Sequence, residues 1–89
     1  MKKRAVLSDN NSGISMSLYT DAPCVQIYTG NMINLDDPAF KGNIPQYKHC
    51  GVCLETQAMP DSMNHPGFTN VLVTPDKKYD TTTIFKFNK

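Results

Sequence analysis

The stretch HCGVCLETQ, which begins at His49, contains two kinds of side chain that could do chemistry, thiols and a carboxylate. Cys50 and Cys53 have the C-x-x-C spacing found in zinc knuckles and redox sites. His49 and Cys24 could complete a set of zinc ligands around them. Glu55 is an ionisable group near the end of an otherwise apolar strand, where a carboxylate can act as a general base. The function of the chain therefore depends on which of these groups is used.

The spacing of the cysteines disfavours a thiol site. Structural zinc usually takes its ligands from two paired knuckles, whereas this chain has a single C-x-x-C. If residues 50 and 53 lie on one strand, they point to opposite faces. Redox pairs commonly lie at a helix N-terminus, which lowers the thiol pKa, and no helix is predicted after Cys53. We expect free structural cysteines that are buried or half-buried, with a small thiol or zinc protein as the alternative.

The other candidate residues carry weaker signals. Asp36 and Asp37 could bind a hard cation, but adjacent acids before a proline more often open a turn. His49 and His65 belong to loop-like segments, where a single histidine usually makes a hydrogen bond or faces solvent. Glu55 has two interpretations from the residues alone, a strand-end carboxylate that has reached solvent or a placed base. No metal site is predicted.

Strands are the elements that must position these residues. In ISMSLYT, Ile14, Met16 and Leu18 alternate with polar residues and Tyr19, the period of two that buries one face of a sheet. The turn-rich DNNSG before it predicts a hairpin with the preceding apolar segment. Similar patterns predict six strands in all, at residues 5–8, 14–20, 24–29, 51–57, 71–75 and 81–87. The expected fold class is all-β, a sheet or sandwich.

Two irregular segments bracket the strand that carries Glu55. Residues 32–47 and 58–70 have no sustained period and are interrupted by proline, glycine and aspartate, so we interpret both as surface loops. Six strands are few for the two layers of a sandwich, which indicates that partner strands are missing. A sheet cut in this way should expose unpaired edges and self-associate.

Size, composition and charge exclude several classes of protein. A chain of 89 residues is one domain at most, and 39% hydrophobic with 19% charged residues is typical of a folded protein. The net charge of +1 is scattered, which disfavours nucleic acid as a partner. The Lys-Lys-Arg start precedes too few apolar residues for a signal peptide, and no stretch is long enough to span a membrane. Three cysteines, an odd number, favour a reducing, cytoplasmic location.

Three stretches resemble the closing segment of the aldose 1-epimerase (galactose mutarotase) family: VQIYTGN at 25–31, KHCGVCLETQ at 48–57 and PDSMNHPGF at 60–68. The strand-turn-strand segment before them and the terminal hairpin VTPDKKYDTTTIFKF are similar to that family in the same order. The resemblance covers essentially the whole chain, which corresponds to about the last quarter of the family's all-β domain. It implies that residues 1–89 are the C-terminal segment of an incomplete domain, an antiparallel β-sandwich fragment of the galactose mutarotase-like supersandwich.

The resemblance also implies an activity, the interconversion of the α and β anomers of hexoses such as galactose and glucose, without a metal or an organic cofactor. Glu55 matches the family's general base in its Leu-Glu-Thr-Gln context, and Gln26 matches a residue that hydrogen-bonds sugar hydroxyls. In this reaction the base takes the proton of the anomeric hydroxyl while an acid protonates the ring oxygen, so that the ring opens and can reclose on either face.

The family's general acid has no counterpart in this chain. It is a histidine far upstream, other residues that hold the sugar also precede this segment, and neither His49 nor His65 occupies its position. We therefore expect the chain alone to bind sugar weakly and to accelerate mutarotation little. The expected partners are a hexose and either the missing N-terminal part of the enzyme or a second copy. A non-catalytic carbohydrate-binding or interaction module is the alternative function.

Overall fold

The computed structural model describes residues 1–89 and contains five β-strands and no α-helix. The strands are β1 (Lys2–Ser8), β2 (Ser15–Thr20), β3 (Cys24–Tyr28), β4 (Cys53–Gln57) and β5 (Thr83–Asn88). Two single turns of 3-10 helix lie in the loops, at Lys41–Asn43 and Ser62–Asn64. Neither turn has the length or the apolar character that a membrane-crossing helix needs. The predicted all-β class is confirmed.

The strands form two sheets. A three-stranded sheet has the order β1-β2-β5, with antiparallel pairing on both sides of β2, and a two-stranded sheet pairs β3 with β4. The chain also divides into two compact units, residues 1–25 with 56–89 and residues 26–55. The three-stranded sheet belongs to the first unit.

The β1–β2 hairpin forms where the turn-rich segment predicts it. Asp9 accepts backbone hydrogen bonds from Asn11 (3.4 Å) and Ser12 (2.9 Å), and Gly13 takes the left-handed conformation with φ of 76°. Hydrogen bonds from Ser12, and then from Asn11, hold the pKa of Asp9 below its ordinary value. A bulge next to Lys3 shifts the register of β1 against β2, so that this outer strand is irregular near its start.

Strand β2 carries the core of the first unit. Leu18 and Thr20 are completely buried, and Ala22 just beyond the strand is 8% exposed. Met16, Leu18 and Thr20 share one face of β2 because alternate residues point the same way. Their partners in β5 are, in the same order, Phe87, Phe85 and Thr83. The alternation in ISMSLYT therefore marks Leu18 correctly, but Ile14 lies before β2 and is 45% exposed, and Ser17 on the opposite face is also buried.

The buried hydroxyl of Thr20 links three segments of the chain. Its Oγ1 donates to the carbonyl of Thr82 (2.9 Å) and accepts from the N–H of Ala22 (3.1 Å). It also lies 3.3 Å from the hydroxyl of Thr83, which is 2.7 Å from the hydroxyl of Thr56. This chain of hydroxyls attaches β4, through the residue after Glu55, to the edge of β5.

One of the six predicted strands, at residues 71–75, is wrong. Val71, Leu72 and Val73 are exposed and belong to no ladder. The N–H of Leu72 is bonded to the side-chain oxygen of Asn70 (2.9 Å), and the only bridge nearby joins Thr74 to Lys77 across a tight turn. The apolar pattern fits a strand, but a strand needs a neighbouring strand to satisfy its backbone groups, and none lies beside this segment. The two predicted loops at 32–47 and 58–70 are confirmed.

The core is thin, as the length predicts. Leu18 and Ala22 are the buried hydrophobic residues, whereas Ile84 and Phe85 are each 46% exposed and Phe87 is 66% exposed on β5. Strands β1 and β5 are the two edges of the three-stranded sheet. Self-association through these edges stays a prediction.

Substitution of Thr20 should test the hydroxyl network. Thr20→Val keeps the shape of the side chain but leaves the buried N–H of Ala22 without its acceptor, so we expect a loss of about 1–3 kcal/mol in the free energy of unfolding. Thr20→Ser keeps the hydroxyl and should lose less. Urea denaturation of the two variants measures the difference. Equal stabilities of the valine and serine variants would contradict the role of the hydroxyl.

Acid should weaken the attachment of the segment that precedes β5. Asp21 accepts hydrogen bonds from the Thr81 hydroxyl (2.6 Å) and the Thr82 N–H (3.0 Å), and these bonds, Thr81 first, hold the pKa of Asp21 below its ordinary value of 3.8. Because the pKa is lower in the folded than in the unfolded chain, the stabilisation is complete above the unfolded value. It is lost as the pH falls through the folded value.

The measurement is the pH dependence of the thermal unfolding midpoint, from neutral pH to below 3.8. Asp21→Asn should remove part of the acid sensitivity of the wild-type chain, since its amide does not titrate. Asp76→Asn is the control, because Asp76 is exposed in another turn and its side chain takes no part in these bonds. An Asp21→Asn profile parallel to that of the wild type would refute the link.

Candidate functional site

Gln26 and Glu55 lie on the two strands that form the two-stranded sheet. Gln26 is in the middle of β3, where Val25 and Ile27 favour extended backbone, and Glu55 is in the middle of β4. Both side chains are exposed. The pairing of β3 with β4 brings together two segments that a long loop separates in the chain. The structure therefore places the predicted base and the predicted sugar contact on adjacent strands.

The carboxylate of Glu55 is free for a ligand. It accepts no hydrogen bond and forms no ion pair within the chain. By alternation, Cys53, Glu55 and Gln57 share one face of β4, and Leu54 and Thr56, both half-buried, share the other. The alternation explains why the strand exposes Glu55 while its neighbours on both sides are partly covered.

The side-chain amide of Gln26 is also nearly free. Its one contact within the chain is a long hydrogen bond, 3.4 Å, from Nε2 to the carbonyl of Ile27. The amide oxygen accepts nothing from the chain. A primary amide both donates and accepts, so Gln26 can pair with neighbouring hydroxyl groups of a polyol.

The two ends of the loop between β3 and β4 are tied together, an arrangement called the loop clasp below. The side chain of His49 donates from Nδ1 to the carbonyl of Thr29 (2.8 Å), and its backbone N–H donates to the carbonyl of Gly30 (3.0 Å). His49 has a positive φ of 65°, and Gly30 has one of 74°. The sequence indicated a hydrogen-bonding histidine at position 49 but not its partners.

Gly30 is buried at the centre of the loop clasp. A Cβ built on it would lie 3.2 Å from the carbonyl oxygen of Gly51 and 3.2 Å from Cδ1 of Ile33. Both the positive φ and this close approach require a residue without a side chain. The glycine of VQIYTGN therefore has a packing role, which the sequence could signal only as a strand end.

Two clefts lie elsewhere in the first unit. One, of about 340 Å³, is lined by Asp21–Pro23, Gln57 and Ala58, and the segments 69–73 and 77–81. The other, of about 220 Å³, lies over the loop that contains His65 and Phe68. Neither cleft is lined by Gln26 or Glu55. Glu55 and Gln26 are exposed on their strands and lie outside both clefts.

The thiols differ from the prediction in two respects. All three cysteines are free, and Cys24 and Cys50 are half-buried as expected, but Cys53 is exposed. Cys50 lies in the turn before β4, which begins at Cys53, so the argument from opposite faces of one strand does not apply to it. No three His, Cys, Asp or Glu side chains lie close enough together to hold a metal ion.

The remaining candidate residues make contacts within their own loops. Asp37 Oδ2 accepts from the N–H of Asn34 (2.9 Å), and the N–H of Asp37 bonds back to the carbonyl of Asn34 (3.1 Å), which confirms a turn at this point. His65 Nε2 lies 3.3 Å from Oδ2 of Asp61, and its ring is 4.8 Å from that of Phe68. These contacts hold His65 to its own loop.

Comparison with known proteins identifies the family. The family profile described as Aldose 1-epimerase matches residues 1–86. Galactose mutarotase of Homo sapiens is 49% identical and that of Bos taurus 47% identical over 79 residues, which cover 86% of this chain and 22% of each relative. Aldose 1-epimerase of Escherichia coli (strain K12) is 32% identical over 76 residues, 83% of this chain and 21% of the relative.

No solved structure matches the chain significantly. The chain spans about a fifth of the length of the curated relatives that it matches. The family profile covers β1 to β4 completely and β5 as far as residue 86. A match over nearly all of its residues is the decisive observation. The chain belongs to the aldose 1-epimerase family.

Proposed function

We propose that this chain contributes the general base and one sugar contact to an aldose 1-epimerase site, which interconverts the α and β anomers of hexoses such as galactose and glucose. The proposal rests on one observation, the presence of Gln26 and Glu55 as exposed, uncommitted side chains on paired strands. The names of the relatives, galactose mutarotase and aldose 1-epimerase, support a hexose as the substrate.

Glu55 is the base in this proposal. A glutamate carboxylate is ionised at neutral pH and can accept the proton of the anomeric hydroxyl. No group of the chain competes for its oxygens, so they are available to the substrate. Thr56, the next residue, is anchored through its hydroxyl to Thr83 (2.7 Å), which limits the movement of the strand that carries the base.

Gln26 is the sugar contact in this proposal. Neighbouring hydroxyl groups on a pyranose ring each donate and accept, and one amide can pair with two of them. Such bonds orient the ring, and orientation is a large part of the rate advantage when a base must reach one particular hydroxyl. Gln26 therefore contributes to binding and to alignment.

The proton donor comes, in this proposal, from residues outside the 89 described. The two histidines of the chain are engaged otherwise, His49 with the Thr29 carbonyl and His65 with Asp61. The chain alone should then bind hexoses weakly and accelerate mutarotation little, since acid and base must act together.

A chimera provides the sharpest test of Glu55. In human galactose mutarotase, the matching segment is replaced by this chain, and anomer interconversion of fresh α-galactose is followed by polarimetry. We expect the chimera to be active and Glu55→Gln to lower kcat by about 10²–10⁴, because the amide cannot take the proton. Gln26→Ala should mainly raise KM.

The control variant is Asp36→Asn, which changes an exposed carboxylate in the turn of the same unit. It should leave kcat unchanged. An active chimera in which Glu55→Gln has no effect would refute the role of the base. Sugar-induced NMR shifts at Gln26 in the isolated chain, together with an inactive chimera, would instead support a non-catalytic carbohydrate-binding module.

A further inference from the structure

We infer that His49 is a positioning residue. By closing the loop clasp, it holds together the pair of strands β3 and β4, which carry Gln26 and Glu55. The importance of this pair for catalysis rests on the function proposed above, whereas the clasp itself is a property of the fold. All of its members lie within the compact unit of residues 26–55, as do Gln26 and Glu55.

The backbone of His49 has a conformation that a histidine rarely adopts. The N–H of Cys50 donates to the carbonyl of Tyr47 (3.0 Å), so residues 47–50 form a turn with His49 at its third position. A positive φ, here 65°, at that position is ordinarily taken by glycine or asparagine. Histidine takes a positive φ more often than most residues, but the conformation still costs energy that contacts around the residue must offset.

The side chain of His49 makes that compensating contact. Its Nδ1 lies 2.8 Å from the carbonyl oxygen of Thr29, the residue directly after β3. A carbonyl oxygen only accepts, so Nδ1 carries the proton, and Nε2 is the unprotonated nitrogen of the neutral ring. This hydrogen bond therefore determines the tautomer of the ring and holds in place the residue that follows β3.

The second contact joins the same two segments through the backbone. The carbonyl of Gly30 accepts from the N–H of His49 (3.0 Å) and from that of Ile33 (3.2 Å). Because Gly30 has no side chain, the carbonyl of Gly51 can pack close to it. A Cβ at position 30 would lie 3.2 Å from the carbonyl oxygen of Gly51. Two hydrogen bonds from one residue thus hold the exit of β3 against the segment that enters β4.

Glu55 depends on this arrangement because it lies in the middle of a short strand. Strand β4 begins at Cys53, four residues after His49, and contains five residues. A pair of strands this short has few ladder hydrogen bonds to set its register, and an isolated two-stranded sheet is marginal in water. The loop clasp supplies the constraint that the ladder lacks.

The first test uses the unmodified 89-residue chain. Nitrogen-15 NMR of the histidine rings should show the Nδ1-protonated tautomer for His49 in its neutral state, with the Nδ1 proton protected from exchange. An Nε2-protonated ring, or a ring that interconverts between tautomers, would overturn the inference without any variant.

The second test separates the backbone of His49 from its side chain. His49→Gly retains the positive φ but removes the imidazole, so hydrogen exchange of the β3 and β4 amides should accelerate on the order of fivefold. His49→Asn also tolerates a positive φ and retains a side-chain N–H donor, so it should restore much of the protection. His65→Asn is the matched control and should not change these amides.

A pair of glycine variants tests the loop clasp without changing His49. Gly30→Ala should accelerate the same amides, because its Cβ would meet Gly51 and Ile33. Gly42→Ala carries the same penalty for a positive φ, since its φ is 78°, but its Cβ would meet nothing within 4 Å. Equal protection of β3 and β4 in the two variants, or in His49→Gly and the wild type, would overturn the inference.

Galactose titration distinguishes this inference from the proposed function. If galactose shifts the side-chain amide signal of Gln26 in the wild type, His49→Gly should weaken that binding and His49→Asn should restore it. If galactose shifts nothing in the wild type, sugar binding by this chain is refuted, while the exchange data still decide whether His49 holds the strand pair. Binding that is unchanged in His49→Gly would count against its positioning role.

Discussion

The buried hydroxyl of Thr20 is the constraint on which the first unit depends. With so few buried hydrophobic residues, dispersion and hydrophobic burial alone supply little specificity. Thr20 combines a fully buried side chain with three polar contacts, and through Thr83 and Thr56 it joins the middle strand of one sheet to a strand of the other. A single hydroxyl thereby connects segments that lie far apart in the chain.

The site is built on a second, separate constraint. The strands that carry Gln26 and Glu55 are five residues long, and a loop of mostly exposed residues connects them. The loop clasp at Gly30 and His49 shortens the effective loop by tying its ends, which lowers the entropy that the strand pair loses on forming. In the proposed function this support matters, because a base that is displaced by about 1 Å loses much of its rate advantage.

The resemblance and the residue patterns predicted different parts of this molecule. Alternation in ISMSLYT identified the buried side of Leu18 but wrongly included Ile14, which is exposed, and the LETQ context identified Glu55 as the residue of interest. The prediction of a strand at 71–75 is wrong because its apolar side chains fit a strand pattern, whereas its backbone groups bond to Asn70 and within a turn. Cys53 was expected to be covered, but it shares the exposed face of β4 with Glu55.

The sequence alone determined the all-β class, the hairpin, the two loops and the membership of a family, because these depend on local period, turn chemistry and short motifs. It also singled out Gln26 and Glu55. Only the tertiary structure decided that these two residues lie on paired strands, that the Thr20 hydroxyl joins three segments, and that His49 reaches Thr29 across the loop. Such contacts join residues that are distant along the chain, and no local pattern encodes which distant groups will meet.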